Sequence, residues 1–143
     1  MSSLFQRQYN GRFISALHWP QLDALWATLG TQSEGWYVYF IGEALPQAPL
    51  SSQALQHFIG EINTLLHTDH EHDYCGIVYA DSLEQPSMIK IYDPNNLGAS
   101  CGASGRRIHP RWLLSRAAPE LIEDEVPTTA NRKRWWQRVF HAA

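Results

Sequence analysis

The sequence predicts an α+β protein: a single-domain sandwich in which two or three helices cover one mainly antiparallel sheet. Three observations carry this. Blocks of apolar residues at helical spacing are interspersed with short aromatic and β-branched runs, and the two clearest neighbouring runs are joined by a link too short for a crossover helix. The third is size: with 143 residues, 44% of them apolar, the chain can line one core.

Arg12-Phe13-Ile14-Ser15-Ala16-Leu17 reads as a short first strand. Pro20 suits the first position of a helix in which Leu22, Leu25, Trp26 and Leu29 fall at i, i+3, i+4 and i+7, and Gly30 is placed to end it in the left-handed conformation. Trp36-Tyr37-Val38-Tyr39-Phe40-Ile41 has too little polarity on either alternating face for a solvent-washed edge and is expected in the middle of the sheet. Ser51 offers an N-cap, with Leu50 and Leu55 around it as a hydrophobic staple. From Leu55 through Phe58, Ile59, Ile62, Leu65 and Leu66 the helical period then holds without a break. Leu55, Phe58, Ile59, Ile62 and Leu66 are therefore expected to be buried against strands around Val38, Ile77 and Ile89.

Tyr74 to Tyr79 and Met88 to Tyr92 read as a hairpin across the turn-rich Asp81-Ser82-Leu83-Glu84-Gln85-Pro86. A long loop with Gly98, Gly102 and Gly105 follows, and Trp112-Leu113-Leu114-Ser115 is a last strand. Thr128 is placed to cap a closing helix whose Trp135, Trp136, Val139 and Phe140 gather within about 140° of arc at roughly 100° per residue. Residues 1–127 thus form the α+β domain, and 128–143 a basic aromatic helix that docks either on it or on a partner. A ferredoxin-like arrangement is one member of this class.

Charge is uneven. Residues 1–89 hold two bases against nine acids, and residues 90–143 nine bases against five acids, for a net −3. That total argues against a dedicated nucleic-acid binder. Near the end, Glu120, Glu123, Asp124 and Glu125 precede Arg132, Lys133, Arg134 and Arg138, so the chain closes on an acidic patch followed by a basic one. The two patches either neutralise each other or leave a basic helix to meet an acidic partner. The longest apolar run, Trp36 to Ile41, falls far below the ~20 residues that span a bilayer, and the first residues lack a secretion signal. Two cysteines make no disulfide framework and read as free thiols of a cytoplasmic protein. Nine arginines against two lysines suit a GC-rich bacterial genome.

Two segments carry ligand-type residues. His67, His70, His72 and Cys75 fall in one acidic polar break, and imidazole with thiolate favours zinc; the spacing matches no standard zinc pattern, and an ordinary solvated loop reads the same. Gly102, Gly105, Arg106 and Arg107 suit binding of a small anion by converging backbone N–H groups and guanidinium forks. Cys101 precedes Arg107 by six residues, a spacing some phosphatases use, although the strand and helix that flank such a loop are missing. The plain alternative is a glycine-rich turn. No paired carboxylates, nucleophile elbow or nucleotide fingerprint is present, and no residue is assigned a catalytic role. The expectation is a binding or assembly module acting through protein–protein contacts or self-association. Arg132, Arg134, Trp135, Trp136, Arg138 and Phe140 are its candidate contact residues, since aromatic and arginine side chains are enriched at interface hot spots. The alternative is an enzyme or metalloprotein using Cys101 and Arg107 or the histidine cluster.

Overall fold

The computed structural model describes residues 3–16, 18–69, 76–94, 109–122 and 128–141. Among these are strands β1 (Ile14–Ser15), β2 (Tyr37–Phe40), β3 (Val78–Ala80), β4 (Met88–Ile91) and β5 (Trp112–Ser115), with helices α1 (Leu4–Tyr9), α2 (Trp19–Thr31), α3 (Ser52–Asp69) and α4 (Ala130–His141). Every strand pairing is antiparallel and the sheet order is β1-β3-β4-β5-β2. The α+β class is as the sequence predicts. The ferredoxin-like member of that class is not adopted: β1 and β2, linked through α2, lie at opposite edges with three strands between them rather than interleaving with a second such unit.

Side-chain alternation divides the sheet into two faces. Val38, Leu114, Ile89 and Ala80 form one cross-strand row and Phe40, Trp112, Ile91 and Val78 the next, and both rows lie in the larger core with α2, α3 and α4. Leu55, Phe58, Ile59, Ile62 and Leu66 are all buried there, together with Val38, Ile77 and Ile89. On the opposite face, Tyr39, Ile41, Met88 and Leu113 meet Phe5 and Tyr9 of α1 and Ile122. Burying a side chain of this size releases roughly 1.5–3 kcal/mol, so each helix is held mainly by its apolar stripe.

The position of β2 corrects the expectation of a central strand. It is an edge, yet Val38, Tyr39, Phe40 and Ile41 are buried, because helices cover both faces. The following chain also folds back beside it, the Leu50 N–H donating to the Trp36 carbonyl at 2.8 Å. An edge covered on both faces carries the apolar pattern of a centre strand. Gly30 likewise lies inside α2, which runs on to Thr31 and ends where the Gln32 N–H bonds the Thr28 carbonyl.

Local caps explain several boundaries. Ser51 caps α3 as expected, its Oγ accepting from the Ala54 N–H at 3.1 Å. At α4 the cap is Thr129 rather than Thr128, since the Arg132 N–H reaches Thr129 Oγ1 at 3.3 Å while Thr128 Oγ1 accepts from Arg111 Nη1 at 3.2 Å. In the β3–β4 hairpin, Asp81 Oδ1 accepts from the N–H groups of Ser82, Ser87 and Met88 at 3.0, 2.8 and 3.1 Å, which fixes the turn and the register beyond it.

Candidate interaction surface

The register brings four chain positions to one end of the sheet. Val78 pairs with Ile91 and Ile91 with Trp112, and beyond them the Tyr92 N–H donates to Ile77 O at 2.9 Å and the Arg111 N–H to Ile91 O at 2.9 Å. Gly76, Asp93 and His109 therefore sit together where β3 begins, β4 ends and β5 begins. The C-terminus of α3 joins them through Arg132 of α4. Its Nε donates to Asp93 Oδ2 at 2.8 Å, and its Nη2 donates to Asp93 Oδ1 at 3.0 Å and to Asp69 Oδ2 at 2.6 Å. Burial disfavours the Arg132 charge, but its hydrogen bonds to, and attraction by, Asp93 and Asp69 outweigh it and hold its pKa above the ordinary arginine value.

This end flanks both segments singled out for their ligand-type residues. His70, His72 and Cys75 lie outside the described residues, as do Cys101, Gly102, Gly105, Arg106 and Arg107. His67 is described: it stands exposed on the last turn of α3, its ring stacked on Trp19 with centroids 4.0 Å apart. Among the described residues no group of three or more histidine, cysteine or acidic side chains is placed to hold a metal ion.

A cluster built from residues distant in the chain occupies the second face. Lys90 Nζ donates to Tyr9 O at 2.7 Å and lies 4.2 Å from the Tyr9 ring centroid and 4.0 Å from that of Phe13. The Tyr9 hydroxyl is 2.6 Å from His109 Nδ1. The ammonium thus ties α1 to the sheet. The one local hint was the lysine between Ile89 and Ile91, since Tyr9 and His109 are 100 positions apart.

Helix α4 has two unlike sides. Inward, Trp135 and Val139 are buried, and Trp136 and Phe140 are partly buried against the same core. Phe58 is the common neighbour, with centroids 6.2 Å from Trp135, 6.3 Å from Trp136 and 6.0 Å from Phe140. Outward, Lys133, Arg134, Gln137 and Arg138 are exposed. Arg134 bonds Asn131 within the helix, and among the described residues none of these three cations meets a carboxylate. Two of the expected contact residues, Arg132 and Trp135, are therefore buried in this chain's own fold, and Trp136 and Phe140 are largely used there. Arg134 and Arg138 remain on the surface, joined by Lys133 of the same basic patch.

A shallow cleft of about 290 Å³ lies between Thr31, Gln32, Ser33, Glu34 and Arg116. Its guanidinium already donates to the Gln32 and Glu34 carbonyls, each at 2.9 Å. No helix among the described residues is long and apolar enough to cross a membrane. Comparison with protein-family models, with curated proteins and with solved structures finds no match.

Proposed function

We propose that this protein is a cytoplasmic binding or assembly module that engages another protein chain through the outer side of α4. One observation supports the reading most: a helix anchored on its inner side by aromatic packing and by the Arg132 ion pairs presents Lys133, Arg134 and Arg138 to solvent with no carboxylate partner among the described residues. A rigid, pre-positioned charged face binds with little ordering cost. The test is site-specific photo-crosslinking in the native host with the photoreactive side chain at Gln137 and, as a control, at the exposed Ala27 of α2. The reading requires a discrete protein adduct from position 137 that position 27 does not give. Identical adduct patterns from the two positions, or none, end it.

A second reading rests on Arg132 holding Asp69 and Asp93 together. Asp69 is the last described residue before the segment with His70, His72 and Cys75, and Asp93 lies one residue from the last described before the segment with Gly102, Gly105, Arg106 and Arg107. In this reading this end of the sheet takes zinc or a small anion, with His67 contributing from α3. Protein grown with added zinc then retains about one equivalent after desalting, and His70→Ala with His72→Ala removes it. Metal content equal to buffer refutes it.

A further inference from the structure

We infer that the partner segment recognised by α4 is an acidic helix whose carboxylates lie one turn apart; this rests on α4 being the binding face. The exposed side of α4 carries Arg134 and Arg138 at i and i+4, with Lys133 and Gln137 beside them at the same spacing. Side chains four apart on a helix stand about 6 Å apart along its surface, so a partner helix with glutamates at i and i+4 offers each guanidinium a carboxylate without distortion of either backbone.

The other anionic surfaces fit less well. A membrane-bound amphipathic helix needs an apolar side to insert, and here that side is committed to Phe58, Phe40 and Trp112. Three cations without insertion attract an anionic leaflet by only about 1 kcal/mol each. A long nucleic acid extends past the helix to the rest of a chain whose first 89 residues hold nine acids and two bases. A short acidic segment meets only the basic face.

The experiment is fluorescence anisotropy with three labelled helical peptides of alanine and glutamine background, carrying glutamate, glutamine or lysine at successive i, i+4 positions. The intact protein binds the glutamate peptide at least about tenfold more tightly than the glutamine peptide, with affinity falling as salt rises. The double reversal Arg134→Glu/Arg138→Glu, with far-ultraviolet circular dichroism unchanged, inverts the preference toward the lysine peptide. Equal affinity for the glutamate and glutamine peptides overturns the inference. So does a reversed variant that still prefers glutamate, or tighter binding to phosphatidylserine vesicles or to a single-stranded oligonucleotide. A discrete adduct at position 137 together with no peptide preference removes the acidic-helix inference and leaves the binding reading standing, whereas loss of the adduct removes the reading itself.

Discussion

Arg132 grips Asp93 as a fork, Nε to Oδ2 at 2.8 Å and Nη2 to Oδ1 at 3.0 Å, with the arginine 8% and the aspartate 4% exposed. Two oppositely charged groups this deeply buried offset each other only while both are present. Asp69 shares Nη2, so one guanidinium joins the end of α3, the end of β4 and the first turn of α4.

Removing one partner of this pair takes from a buried charge its bidentate counter-ion. Arg132→Met is expected to cost about 3–5 kcal/mol in urea unfolding at neutral pH. Combined with Asp93→Asn, the loss is expected to be smaller than the sum of the two single losses by about 1–3 kcal/mol. Strict additivity would mean that the pair is not coupled in solution.

Phe58 is fully buried in α3 and faces three aromatic rings of α4. Phe58→Ala is expected to cost about 3–5 kcal/mol through lost transfer energy and the cavity left behind. It should also speed amide exchange in α4 ahead of α2, because the ring is the floor on which α4 rests. A melting temperature equal to that of the parent protein would contradict the packing.

How much could be read in advance depended on whether a residue's partner was local. The stripe from Leu55 to Leu66 and the Ser51 cap are local patterns, and α3 was legible from them. The capping box of α1 is local too: Gln6 N–H donates to Ser3 Oγ at 3.1 Å and Ser3 N–H to Gln6 Oε1 at 3.3 Å. A six-residue helix with one apolar edge has almost no periodicity, and the Ser3 and Gln6 spacing was its only signal. The edge position of β2 was not legible, because burial on both faces erases the alternation that marks an edge. Likewise nothing near Arg132 announced Asp69 or Asp93, which come from other elements. An arginine at the start of an amphipathic helix reads as a surface charge until the fold places acids beneath it.

Lys90 supports α1 from the sheet below. Lys90→Met keeps most of the aliphatic stem and removes the ammonium, losing the bond to Tyr9 O and the attraction to the rings of Tyr9 and Phe13. A charged hydrogen bond contributes about 1.5–3 kcal/mol and each of the two cation–π contacts about 0.5–1 kcal/mol, so a loss of about 2.5–5 kcal/mol is expected. Hydrogen exchange over Leu4 to Tyr9 is the specific readout. If these amides keep their parental protection while global stability falls, the lysine does not anchor α1.

The sharpest difference between α4 as cover and α4 as display comes from deleting residues 128–143. The deletion strips Trp135 and Val139 from the core and uncovers Phe58 and Trp112, both fully buried in the intact chain. It also removes the guanidinium from Asp93, which is 4% exposed. Exposing several aromatic side chains at roughly 1.5–3 kcal/mol each, with a buried carboxylate deprived of its guanidinium, is enough to exhaust the 5–15 kcal/mol by which a domain of ordinary size is stable. The truncated chain is therefore expected to lose its cooperative thermal transition and to bind a hydrophobic dye. The double reversal Arg134→Glu/Arg138→Glu, which changes only exposed positions, is expected to keep the parental melting temperature within a few degrees. A truncated chain that still melts cooperatively at the parental temperature would mean that the inner side of α4 is not part of the core in solution. The ring contacts to Phe58 and Trp112 would then fail as the basis for its anchoring.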